Sequence, residues 1–157
     1  MTSPAASARQ LRQVVLAGML TMAVVMGVGR FAFTPILPSM RDEFSLSATA
    51  LGALASANYL GYMVGALICA LPALYRWRRA VVQGGLLLVI AVTAGMALTT
   101  AMPIWLLLRF VAGVASAGVF VFASAAIIAW FIQRQRPELF GLFFSGVGLG
   151  IASSGAV

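Results

Sequence analysis

Histidine and lysine are absent from this chain of 157 residues, only three residues are acidic, and cysteine occurs once. The acids are Asp42, Glu43 and Glu138, so none falls within the long apolar stretches. Without histidine, a membrane-buried carboxylate or a second thiol, there is no base, no paired nucleophile and no metal cage, which excludes the common enzyme chemistries. The lone Cys69 excludes an intrachain disulfide and reads as a small membrane-buried residue. Charged residues make up 8% of the chain, against roughly a quarter in soluble domains, so the polar shell of a soluble fold is missing. Strict apolar alternation is missing too, which leaves helices rather than a barrel to satisfy the backbone in lipid.

What fills the chain instead is apolar sequence: 62% of residues are hydrophobic and the mean hydropathy is +1.06. Five runs, each near the roughly 20 residues that cross a bilayer, are expected as transmembrane helices at about 13–37, 48–71, 80–98, 104–132 and 139–157. The fold class is therefore an all-α membrane protein. Residues 1–12 read as a short cytoplasmic tail, and 13–157 as the helical domain. The first run is too long for a signal-peptide core and is read as a retained helix, ended by Pro35 and Pro38. Ser47 is a candidate cap for the second helix, and Pro72 closes it. The fourth run exceeds one bilayer thickness, so it must tilt or project.

All ten basic residues are arginine. Arg9 and Arg12 lie in the tail, Arg76, Arg78 and Arg79 in the second gap, and Arg134 and Arg136 in the fourth, all on one side of the membrane. The opposite gaps hold Arg41 alone. The positive-inside rule then places the amino terminus and the basic loops in the cytoplasm of a cell inner membrane. In the stretch Tyr75-Arg76-Trp77-Arg78-Arg79, alternating rings and cations suit an interfacial anchor on membrane lipids better than a nucleic-acid contact.

Two arginines fall inside the runs, Arg30 and Arg109, both roughly 10 Å below the outer surface. No run supplies a carboxylate to neutralise them. Their partners must be backbone carbonyls, lipid phosphate, water, an acid elsewhere, or an anionic ligand, and intramembrane charge is by default a functional signal. At helical spacing Arg109 shares a face with Ala112, Gly113, Ser116 and Ala117, a row of small residues that admits another helix. Arg30 shares one with Met26, Gly27, Phe33 and Thr34. The second run adds Asn58, Tyr59 and Tyr62, candidates either for interhelical hydrogen bonds or for lining a solute cavity. Gly61 and Gly65, and likewise Gly146 and Gly150, have the spacing of close helix packing. The string from Gly146 to Gly150 follows no strand and precedes no acid, so no nucleotide cofactor is implied.

The strings GVGRFAFTPILPSM (27–40) and ASANYLGYMVGAL (55–67) resemble the YbfB-like branch of the major facilitator superfamily, and LLLRFVAGVASAG (106–118) resembles the Arg-x-x-x-Gly pattern of that superfamily's fourth helix, with Arg109 and Gly113 at its two positions. The basic cluster after Pro72 keeps only part of the superfamily's loop motif, since the usual aspartate and glycine are not there. The resemblance implies a secondary transporter working by alternating access, with the first and fourth helices lining a central cavity and the third peripheral. The chain would then hold about five of twelve helices, and transport would need a second bundle or another copy of the chain. The expected substrate is a small solute, and Arg30 and Arg109 bias the cavity toward anionic or carboxylated ones. The competing expectation is a non-transporting membrane protein that assembles through its glycine faces.

Overall fold

A computed structural model describes residues 4–155 and contains helices and no strands among them. Four stretches are long and apolar enough to cross a membrane, Ala8–Phe44, Ala48–Cys69, Pro72–Met96 and Met102–Gln133, and a shorter apolar helix follows at Leu139–Ser154. The protein is thus an all-α, multi-pass membrane protein.

The first span departs most from the sequence expectation. Residues 1–3 of the expected tail lie outside the described residues, but α1 already runs from Pro4 to Met22. Alanine, glutamine and arginine between Pro4 and Gln13 are good helix formers, and they join the apolar run without a break. A π-helical segment, Ala23–Phe31, follows, and α2 continues from Phe33 to Phe44. Pro35 and Pro38 therefore do not end the helix. Pro35 falls in the first turn of α2, where a missing N–H costs little. The turn comes instead at Ser45, in the left-handed region with φ 51°.

Ser47 caps α3 (Ala48–Cys69), its hydroxyl accepting the Ala50 N–H at 3.1 Å. Pro72 opens a single 3₁₀ stretch, Pro72–Trp77, that leads into α4 (Arg78–Met96). Pro103 sits in the first turn of α5 (Met102–Gln133), whose 32 residues extend about 48 Å. The turn after it, with Gln135 at φ 54°, is spanned by an ion pair between Arg136 and Glu138 at 2.5 Å. Helix α6 (Leu139–Gly155) completes the described chain; the last two residues of the fifth run lie outside it.

Helix α5 is the centre of the arrangement. Most of its middle, from Arg109 to Ser124, is buried, flanked by α3 and α4 and touched by the π-helical segment. Helix α6 packs on α1 and that same segment. Helix α4 buries only Val89 and Val92 fully, and so covers one side of α5 while exposing most of its own surface. A core of Val15, Met22, Val25, Val119, Phe131 and Phe143 joins α1, the π segment, α5 and α6.

Candidate functional site

Arg109 projects from α5 toward the first span and is 5% exposed. Its Nη1 donates to the Gly29 carbonyl and its Nη2 to the Arg30 carbonyl, both long bonds of 3.4 Å. The backbone explains why acceptors in this stretch outnumber donors. The Ala32 N–H reaches back five residues to Gly27, whereas α2 beyond it bonds four residues back. Between these registers the carbonyls of Val28, Gly29, Arg30 and Phe31 face the N–H groups of Phe33 and Thr34 only, since Pro35 has none to give. A buried carbonyl without a donor is costly in lipid, and the Arg109 guanidinium supplies two donors. The Phe33 ring lies against the guanidinium at 4.2 Å from its centroid. The Arg109 Nε is buried with no hydrogen-bond partner.

Arg30 is held differently. Its guanidinium lies 4.0 Å from the centroid of the Tyr62 ring, 5.1 Å from that of Tyr59 and 5.5 Å from that of Phe31. Ring quadrupoles attract a cation most where water is scarce. Tyr59 is half exposed on the same side, and Arg30 is partly exposed, although its Nε is buried with no hydrogen-bond partner. Its expected companions on an α-helical face are scattered by the wider π turn: Gly27 meets Gly150 of α6, and Phe33 underlies Arg109 rather than Arg30.

Asn58 is 2% exposed, and its Nδ2 donates to the Arg109 carbonyl at 3.0 Å. Of the five polar residues singled out from the sequence, all come together around the junction of the first span, α3 and α5. They divide into two layers. Asn58 and Arg109 are bound to backbone inside the packing, while Arg30, Tyr59 and Tyr62 form an aromatic ledge on its open side.

The flagged glycines are the contact points that permit this. Gly61 meets the Phe110 carbonyl, Gly113 meets the Asn58 carbonyl, and a methyl at Gly65 would lie 2.7 Å from the Val114 carbonyl oxygen. Gly146 faces Met19, and a methyl at Gly150 would come within 2.7 Å of the Gly27 Cα. These faces are occupied by the chain's own helices, so the expectation that they seat another chain finds no free glycine surface at these five positions. Sequence reasoning missed the π-helical segment and the reach of the Ser116 hydroxyl to the Val25 carbonyl at 3.4 Å. It also missed a cavity of about 560 Å³ that Arg109 shares with Phe33, Thr93, Trp105, Ser153 and Ser154. Pro35, set five residues after Arg30, was the available signal for the displaced register.

The family description that matches this sequence is "uncharacterised MFS-type transporter YbfB", over residues 22–157. The chain belongs to the YbfB-like branch of the major facilitator superfamily. No curated protein and no solved structure gives a significant match. Membership places this YbfB-type chain among membrane-embedded transporters of small solutes and supports a transport role rather than a catalytic one. The matched region includes Arg30 and Arg109, the tyrosine ledge and all five flagged glycines.

Proposed function

We propose that the chain forms the solute-facing side of a secondary transporter for a small anionic solute, with Arg30 as the cation that meets the solute. The observation that carries this reading is Arg30 itself: a partly exposed arginine in the first span, its guanidinium set on Tyr62 and Tyr59 and, among the described residues, in no ion pair with a carboxylate. Arg109 is the positioning cation. Its bonds to the Gly29 and Arg30 carbonyls hold the backbone from which Arg30 projects, and it adds positive potential behind the ledge. Asn58 fixes the distance between α3 and α5 and so sets the ledge against the first span. Alternating access works by one bundle rocking against another, so the second bundle comes from further sequence or another copy of the chain. The seven arginines of the tail and the second and fourth gaps support a cytoplasmic amino terminus in a bacterial inner membrane.

The test is uptake of radiolabelled organic anions by cells carrying the transporter, compared with Arg30→Ala and Arg30→Lys at matched membrane abundance. Loss of uptake in Arg30→Ala with poor rescue by lysine supports the ledge as the solute site. Unchanged uptake in Arg30→Ala removes it.

A further inference from the structure

A groove of about 480 Å³ runs between α1, α4 and α5 at the arginine-rich end of the protein. Its walls are mainly apolar, formed by Val14, Gly18, Val82, Phe122 and Ile127 with Thr21 and Gln83 among them, and Arg78 and Arg79 stand on its rim. From Val14 to Thr21 it is about 10 Å deep along α1. We infer that this groove binds one anionic diacyl phospholipid, with the phosphate on Arg78 and Arg79 and the start of an acyl chain against Val82 and Phe122.

Charge, orientation and position select that occupant. Charge comes first: among the described residues the one ion pair is Arg136 with Glu138, so Arg78 and Arg79 bring two cations to the rim with no carboxylate beside them. Arg78 is already oriented. Its Nη1 donates to the Tyr75 carbonyl at 3.3 Å, and its guanidinium lies 4.6 Å from the centroid of the Tyr75 ring, which leaves its other N–H groups for phosphate. Position is the third. Val81 of α4 lies against Gly118 of α5, and α5 continues about 22 Å beyond that level while α4 continues only about 5 Å to Arg78. The two arginines therefore form a recessed shelf beside a taller α5, whose further turns rise past them on the side away from the membrane interior, while Val82, deeper along α4 than either arginine, and Phe122 lead from the cations toward that interior. A soluble anion would use the arginines but leave the wall bare. A zwitterionic lipid would fill the wall but carry no net charge to the rim. Basic pockets between spans on the basic side of a membrane protein suit anionic headgroups.

Native mass spectrometry of the chain in mild neutral detergent tests this, with phosphatidylglycerol, phosphatidylcholine and inorganic phosphate as separate probes. Preferential retention of phosphatidylglycerol, reduced roughly tenfold or more by Arg78→Gln with Arg79→Gln, is the expected result. Ala126→Trp, which fills the groove and leaves both arginines in place, should abolish retention as well, and it carries the test if the double variant fails to fold. Arg134→Gln, whose guanidinium stacks on Trp130 at 3.8 Å, should leave retention unchanged. Equal retention of the two lipids, preference that survives the double substitution, or displacement of lipid by inorganic phosphate alone would overturn the assignment. So would a lipid-free dimer that Ala126→Trp dissociates, which would give the groove to a second copy.

Discussion

Asn58 donates its carboxamide N–H to the backbone carbonyl of Arg109, 3.0 Å away across the α3–α5 contact. The bond is possible because Gly113, one turn along α5, has no side chain where the Asn58 backbone passes. A side-chain donor, a glycine and a buried cation are thus joined in one crossing, and each can be tested separately.

Substituting Gly113→Ala puts a methyl group into the Asn58 carbonyl, and neither backbone can yield without parting α3 from α5. We expect a loss of about 2 kcal/mol, read as a lowered midpoint of thermal unfolding in detergent. Gly84→Ala is the control. Nothing lies near its methyl, and helix propensity should raise stability by up to about 1 kcal/mol.

Asn58→Leu keeps much of the bulk and removes the donor. Interhelical bonds of this kind average about 0.6 kcal/mol in membranes, so the expected effect on unfolding is small. Because the bond sets the ledge against the first span, solute affinity should fall more than stability does. Equal losses in the two would argue for packing alone.

Arg109→Met leaves the carbonyls at Gly29 and Arg30 without their side-chain donors, at a cost of about 2 kcal/mol. Pro35→Ala restores one backbone N–H to the same stretch. In a double-mutant cycle on unfolding, Pro35→Ala should recover part of the Arg109→Met loss, a coupling of about 1 kcal/mol. Strict additivity would mean that the arginine does not serve the displaced register.

At the ledge, Tyr62→Phe preserves the ring under Arg30 and should leave uptake close to wild type, whereas Tyr62→Leu removes the ring and should weaken solute affinity roughly fivefold. Uptake titrations at matched membrane abundance separate the two. If phenylalanine fails as badly as leucine, the hydroxyl rather than the ring is what matters.

Much of this site was legible before any fold was known, because its signals are local. Arg30 and Arg109 stand out since charge is rare in apolar runs, and the four-residue glycine spacings mark close contacts whatever the partner. Other features were hidden because they depend on partners distant in sequence. Asn58 and Tyr62 lie on one helical face, yet one binds the α5 backbone and the other faces a guanidinium from the first span. The helix register around Pro35 has a related reason: Pro35 falls in the first turn of α2, and Arg109 brings a donor to the Arg30 carbonyl from nearly eighty residues away.

Composition and spacing suffice for the class, because a chain this apolar can satisfy its backbone in lipid only as helices. They also suffice for the presence of two cations inside apolar runs, since charge stands out where it is rare. Which of those cations is bound to backbone and which stands on an open aromatic ledge depends on how the first span, α3 and α5 cross. That crossing sums many weak contacts between residues far apart in the chain, and local pattern carries no record of it.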